Sequence, residues 1–321
     1  MIKVGVIGGA GYTAGELLRI LIYHPQTEIV FVHSNSNAGN ELSEVHGDLI
    51  GEINLSFTDT VDPNVNVIFL CMGHGKSKEF LDSTELPKHI KVIDLSRDYR
   101  LEADKESFVY GLPELNRDAI EGTNHIANPG CFATCIQLAL LPLAEAQALK
   151  TDIHVNAITG STGAGQKPMA TTHFSWRNNN VSIYKAFTHQ HLGEINQSIQ
   201  QLQKDYDQQI HFIPMRGNFA RGIFATAYTD CELNEKEIVY LYEHFYDNDP
   251  FVFITSNNPN LKQVVNTNKC IIHIEKHGDK VLITSMIDNL IKGASGQAVQ
   301  NMNLMFGLEE REGLGLKAVA F

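Results

Sequence analysis

Ile2, Val4, Val6 and Ile7 form an apolar run that leads into Gly8-Gly9-Ala10-Gly11, a short strand ending in a glycine turn. Over residues 16–23, Leu17, Leu18, Leu21 and Ile22 recur at helical spacing, and His24-Pro25 ends the helix. Residues 28–33 read as a second strand, completing one β-α-β unit. Residues 65–72 and 91–95 are continuous β-branched runs of the kind a parallel sheet buries on both faces. After Asn128-Pro129-Gly130, Cys131–Glu145 is an apolar helix punctuated by Pro142. From Asp152 the pattern changes. Ile153–Thr159, 223–232, 269–276 and Lys280–Ile287 are longer strands, separated by long loops and one helix at 235–246. This pattern predicts a mixed or antiparallel α+β domain. A last helix at 293–307 carries Ala298, Met302 and Met305 on one face. The fold class is therefore α/β, a parallel-sheet dinucleotide-binding domain plus a second α+β domain.

Composition narrows the partners more than the fold. The chain has 321 residues, 43% hydrophobic and 19% charged, which is ordinary for a globular protein and enough for two domains. Its formal net charge is −12, without a run of Lys and Arg, which argues against nucleic acid or an anionic membrane surface as partner. An anionic small-molecule substrate then needs locally placed cations or helix N-termini. No apolar stretch approaches the ~18–20 residues that span a bilayer, and the chain starts directly on a strand-like run. The five cysteines include no C-x-x-C pair. A reducing, cytoplasmic compartment with a thiol available for chemistry is expected.

Gly8-x-x-Gly11-x-x-Ala14 sits between a strand and a helix N-terminus, where main-chain N–H groups and the helix dipole can receive a pyrophosphate. A tight connection without ligand is the plainer alternative. The second strand ends His33-Ser34-Asn35-Ser36-Asn37 without the acid that binds a ribose 2′-hydroxyl, which favours NADP over NAD. Cys131 follows Asn128-Pro129-Gly130 at a helix start, where unpaired N–H groups stabilise thiolate and an oxyanion. Cys71, Cys135, Cys231 and Cys270 lie inside apolar runs and read as buried core. Thr188-His189-Gln190-His191 with Glu194 offers a base and an orienting acid, since a helix from His191 puts Glu194 at i+3. No metal is expected, because no Cys or carboxylate cluster joins His-x-His at ligand spacing. Gly160 and Gly165 have P-loop spacing, but Gln166-Lys167 replaces the required Lys-Ser/Thr, leaving a flexible loop beside the active site.

These residues together resemble the N-acetyl-gamma-glutamyl-phosphate reductases of arginine biosynthesis, relatives of aspartate-semialdehyde dehydrogenase. The resemblance runs through Gly8–Thr13, Asp94-Leu95-Ser96 with Tyr99-Arg100, Tyr110-Gly111-Leu112-Pro113-Glu114, Asn128-Pro129-Gly130-Cys131, His189-Gln190-His191 with Glu194, Arg221-Gly222 and residues 288–298. It implies NADPH-dependent reduction of an N-acyl-glutamyl phosphate to the semialdehyde, through a thioester on Cys131. His191 or His189 is the implied acid/base, with Glu194 orienting His191. Gly8, Ala10, Gly11, Tyr12, Thr13, Ser34, Ser36 and Asn289 would contact the cofactor, Ser96 and Arg100 the substrate phosphate, and Arg221 a substrate carboxylate. It further implies a Rossmann domain of residues 1–130 and 293–321 and a catalytic, oligomerising domain of 131–292, in a homodimer or homotetramer. The chain departs from the family's usual pattern at Ala14-Gly15, Asn35, Cys135 and Gln166-Lys167, and carries extra residues between Pro214 and Arg221. An N-succinyl substrate therefore stays open beside N-acetyl. Aspartate-semialdehyde dehydrogenase fits Tyr110–Glu114 and His-x-His-x-x-Glu less well. A non-catalytic dinucleotide-binding regulator would not need Cys131 and both histidines.

Overall fold

A computed structural model of the chain describes residues 1–319. The chain divides into two compact units, residues 1–129 with 294–315 and residues 130–293 with the tail from Leu316.

The first unit is built on a seven-stranded sheet of β1 (Ile2–Ile7), β2 (Thr27–His33), β3 (Phe57–Thr58), β4 (Val67–Leu70), β5 (Lys91–Asp94), β6 (Val109–Tyr110) and β7 (His125–Ala127), in the order β3-β2-β1-β4-β5-β7-β6. Every pairing in it is parallel. The continuous apolar runs are buried as expected: β4 is covered along its whole length. Ile7, Phe31, Ile68, Leu70, Val92 and Phe108 make one core, and Tyr99 stacks on Phe108 with ring centroids 4.1 Å apart. The first helix, Tyr12–Leu21, starts directly after Gly11, four residues earlier than its apolar spacing begins. Polar residues can occupy a helix's first turn, so periodicity registers only where a face is buried.

The C-terminal helix, Gly296–Met305, packs on the Tyr12–Leu21 and Pro113–Glu121 helices and is buried on all sides, not on one apolar face. Its amides explain this. Asn301 donates to the Gly111 carbonyl and to Asn128 Oδ1 at 2.8 and 3.1 Å, and Asn303 lies 3.0 Å from His24 Nε2. Buried polar side chains are tolerated where tertiary partners satisfy them.

The second unit carries β8 (Ile153–Thr159), β9 (Ser182–Ile183), β10 (Ile210–Arg216), β11 (Ile223–Asp230), β12 (Val252–Thr255), β13 (Cys270–His277) and β14 (Lys280–Ile287), in the order β12-β13-β14-β11-β8-β10-β9. It is mixed: β8 with β10 and β12 with β13 are parallel, the remaining pairs antiparallel. The Cys131–Glu145 helix is buried from Phe132 to Ala144 and packs on β11 and β14 and on the His191–Leu202 and Glu235–Phe245 helices. Pro142 has no N–H for the Leu138 carbonyl one turn back. The Tyr246 hydroxyl donates to that carbonyl at 2.6 Å, and the Tyr242 hydroxyl donates to the Ala139 carbonyl. The proline is thus accommodated without an orphaned acceptor.

The helix expected at 293–307 begins instead as a π-turn, Ile291–Ser295, with Gly293 N–H donating to the Asp288 carbonyl at 2.9 Å. A Cβ on Gly293 would lie 2.7 Å from Cys131 Cβ, so the wide turn and the glycine together let the chain pass the cysteine.

Gly8 adopts φ +78, and a Cβ there would lie 2.8 Å from Met72 Cγ and 3.0 Å from the Cys71 carbonyl. Gly8→Ala is expected to cost about 1–2 kcal/mol. A thermal melt should show a drop of a few degrees; an unchanged Tm would count against the left-handed turn.

Candidate active site

In the first unit, the turn after β1 is stapled to the end of β2, with Gly8 and Gly9 N–H donating to the His33 carbonyl at 3.1 and 2.9 Å. Gly11 is the N-cap of the Tyr12–Leu21 helix, with no side-chain cap, no acid in the first turn and no atom within 4 Å of where its Cβ would be. The first-turn N–H groups therefore border open space lined by Ala10, Gly11 and the 40%-exposed Tyr12. The Thr13 carbonyl accepts the Ser295 hydroxyl at 2.7 Å, fixing the turn from the C-terminal helix. Gly15 is small for a packing reason. A Cβ there would lie 2.7 Å from His46 Nδ1, while His46 Nε2 sits 2.7 Å from the Gly9 carbonyl oxygen. Beyond β2, Asn37 donates to the Ser34 and Ser36 hydroxyls at 3.0 and 3.1 Å, and no carboxylate belongs to the 33–37 segment.

At the end of β5, fully buried Asp94 accepts the Ser96 amide at 3.0 Å and the Ser96 hydroxyl at 2.7 Å. Burial raises its pKa, opposed by the hydrogen bonds from Ser96 and by the Arg100 charge. Arg100 donates to the Leu95 carbonyl at 2.8 Å. Asp94 therefore bears on both predicted phosphate contacts, holding Ser96 by hydrogen bonds and acting on Arg100 by charge, a role its sequence context did not signal.

In the second unit, Cys131 opens its helix and is partly exposed, while Cys71, Cys135, Cys231 and Cys270 are buried. Burial pushes the Cys71 thiol up to about 12, and the Cys135 thiol well above its ordinary value. Thiolate chemistry is disfavoured at both. The N-cap Gly130 is dictated by its neighbour: a Cβ there would lie 2.3 Å from His191 Nε2. The imidazole is thus seated on the residue next to the thiol. Glu194 Oε2 accepts the Gly130 N–H at 2.8 Å, and Oε1 stands 3.9 Å from His191 Nε2. At that separation the carboxylate acts on the imidazole by charge; its hydrogen bond goes to the cysteine helix. Gln137 ties the same helices together by donating to the Glu194 carbonyl at 2.9 Å and to Ser198 Oγ at 2.8 Å.

His189 Nδ1 accepts the His191 N–H at 3.3 Å, and its ring lies among Phe132, Tyr184 and Phe212. Burial, then the His191 charge, lowers its pKa to about 3. The two histidines therefore differ: His189 is a neutral packing imidazole, His191 the one on the cap.

The Gly160–Gly165 segment is pinned, not flexible. Ser161 and Thr162 N–H donate to the Phe219 and Ala220 carbonyls at 2.8 and 3.1 Å. Asn289 joins this loop to Gly222, accepting the Gly222 N–H at 2.7 Å and donating to Thr162 Oγ1 at 3.0 Å. Arg221 pairs with fully buried Asp288 at 3.1 and 3.3 Å. The unexpected neighbours are Tyr184 and Arg216. The Arg216 guanidinium lies 4.6 Å from the Tyr184 ring centre, and burial, then the charge on Cys131, pushes the Tyr184 phenol up to about 12.

Residues 3–123 match the family described as semialdehyde dehydrogenase, NAD binding domain, and residues 131–289 match its dimerisation domain. Over the full length of both chains, this protein is 62% identical to proteins of Parabacteroides distasonis and Bacteroides thetaiotaomicron named N-acetyl-gamma-glutamyl-phosphate reductase. It belongs to the N-acetyl-gamma-glutamyl-phosphate reductase family. A Flavobacterium johnsoniae member is 61% identical over the full length of both chains. Among solved structures, aspartate semialdehyde dehydrogenase II of Vibrio cholerae, complexed with ASA, covers 96% of this chain and 98% of its own at TM-score 0.73 and 15% identity. Aspartate semialdehyde dehydrogenase of Candida albicans, with NADP, covers 95% and 98% at TM-score 0.67 and 12% identity. At such identities the likeness is one of fold. The reductase family and its NAD-binding domain make this protein an oxidoreductase that uses a nicotinamide dinucleotide. No helix among the described residues is long and apolar enough to cross a membrane.

Two outcomes follow from this geometry. Gly130→Ala should push the imidazole off the cap and lower kcat by roughly 10²-fold with an unchanged circular-dichroism spectrum; wild-type turnover would remove His191 from its place beside the thiol. His189, neutral when folded, is protonated near its ordinary 6.5 once unfolded, so the unfolded chain binds more protons below that pH. Its contribution to stability is complete above pH ~6.5 and lost as the pH falls toward about 3. His189→Asn should flatten Tm against pH across that window, and an identical acid limb would contradict the assignment.

Proposed function

We propose that the protein reduces N-acetyl-gamma-glutamyl phosphate to N-acetylglutamate semialdehyde and phosphate with NADPH, in arginine biosynthesis. The observation that carries the mechanism is the imidazole of His191 seated on Gly130, the residue before the partly exposed Cys131. His191 takes the thiol proton, and the helix N-terminus steadies the thiolate. The Cys131 sulfur attacks the acyl carbon; a C–S bond forms, the C–O bond to phosphorus breaks, and phosphate leaves with its electron pair. When bound, the reduced nicotinamide supplies the hydride that reduces this thioester. The C–S bond then breaks, the aldehyde departs, and His191 returns its proton to the sulfur. First-turn N–H groups of the cysteine helix favour the oxyanion that forms at each addition. Ser96, held by Asp94, and Arg100, on which Asp94 acts by charge, are the proposed phosphate contacts of the first unit.

The glycine turn fits a dinucleotide, because an uncapped helix N-terminus faces open space there. NADP is preferred in this reading, since hydroxyl and amide groups of Ser34, Ser36 and Asn37 occupy a segment free of carboxylates. Thr162 and Gly222 fix the amide of Asn289 by one donated and one accepted bond, which leaves it a second N–H for the proposed cofactor contact. The match to a dimerisation domain supports a homo-oligomer, a dimer or tetramer. The cytoplasm, whose reducing pool keeps a nucleophilic thiol reduced, is the proposed compartment.

Phosphate-dependent oxidation of N-acetylglutamate semialdehyde with NADP tests the reaction. Cys131→Ser is expected to lose about 10³-fold or more in turnover while NADP still quenches protein fluorescence as in wild type. Retained turnover would take Cys131 out of the mechanism.

A further inference from the structure

Arg216 ends β10, and Ser182 is its strand partner in β9. Its Nε is buried without a hydrogen-bond partner, and among the described residues no carboxylate pairs with it. Arg177 is 6% exposed, and burial, then the nearby Arg216 charge, lowers its pKa. Arg177 also has only uncharged partners: the carbonyls of Arg216, Asn180 and Thr171 at 2.6, 3.3 and 3.3 Å, and Ser182 Oγ at 3.1 Å. Two guanidinium groups thus share one region without a counter-charge, in a chain of net charge −12. Holding cations half out of water without a partner is unfavourable, and a fold with 37 acidic residues had ready means to neutralise them. Arg221, by contrast, is neutralised by Asp288.

We propose that Arg216 is the anion-binding residue of the catalytic unit and receives an oxyanion of the substrate, a carboxylate or the acyl phosphate. Its placement suits this role. Tyr184, whose ring face holds the guanidinium, has its centroid 5.8 Å from that of His189 and feels the charge of Cys131. Arg177 fixes the Arg216 backbone and adds positive potential. A planar guanidinium whose charge is not already spent can take two oxygens of a carboxylate or phosphate side by side.

The assignment rests on the reductase reading for which anion is bound, not for whether one is. Kinetics in the aldehyde-oxidising direction on the full-length enzyme, with Arg216→Ala and Arg216→Lys, give the first test. Arg216→Ala should raise the KM of one anion by roughly thirtyfold or more, with kcat within about threefold, and Arg216→Lys should recover part of the loss. A rise for N-acetylglutamate semialdehyde assigns a carboxylate, and a rise for inorganic phosphate assigns the phosphate. Both KM values unchanged, or a loss confined to kcat, overturns the proposal. The second test is the rate of Cys131 alkylation by iodoacetamide with inorganic phosphate or N-acetylglutamate as protecting anion. Wild type should be protected and Arg216→Ala not; equal protection overturns the assignment. This arm reads out even if wild type fails to turn over the semialdehyde, in which case the reductase reading alone falls.

Discussion

One carboxylate joins the two helices on which the proposed chemistry depends. Glu194 accepts the Gly130 N–H at 2.8 Å while standing 3.9 Å from the His191 imidazole. The contact works only because Gly130 has no side chain, since a Cβ would occupy the space of His191 Nε2. A helix start, a thiol and a base are thereby fixed relative to one another by a single buried acid. Gln137 repeats the tie one turn and a half along the cysteine helix, so the pair of helices resists sliding. In the proposed mechanism such preorganisation lets the thiol and the imidazole cooperate without reorganisation at the moment of reaction.

The surroundings of this pair are apolar, and that decides which groups carry charge. Phe132 and Phe212 crowd His189 and keep it neutral, so it serves His191 as a hydrogen-bond acceptor. Cys135, one turn below Cys131, is sealed against Ser285 and held as a thiol. Two cysteines four residues apart therefore differ in setting: Cys131 is partly exposed at the helix start, Cys135 is buried one turn on. Around them the protein concentrates cations that its overall charge would not suggest. The unneutralised Arg216 and Arg177 stand in the second unit, while in the first the anion-receptive feature is a bare helix N-terminus after Gly11.

Each unit also shows how buried polarity stabilises a fold rather than merely being tolerated. Asp94 accepts two hydrogen bonds from Ser96 at the end of a parallel strand. Asn301 and Asn303 anchor the C-terminal helix, and two tyrosines satisfy carbonyls beside Pro142. These hydrogen bonds are buried, and losing one would leave its donor or acceptor unpaired.

The sequence by itself determined the β-α-β opening, the change of architecture after Cys131, the thiol at a helix start and the His-x-His-x-x-Glu pattern. Each is a local signal: a period of two or 3.6, a glycine turn, or residues within one helical turn. The short edge strands at 57–58, 109–110 and 182–183 and the parallel strand Ile210–Arg216 gave no such signal, because their stability comes from neighbours distant in the chain. The roles within the site were decided the same way. Only tertiary packing separates His191 on the cap from His189 in the core, neutralises Arg221 with Asp288 and leaves Arg216 without an acid. Charge state and reach depend on which groups meet across the fold, and spacing along a chain does not encode that.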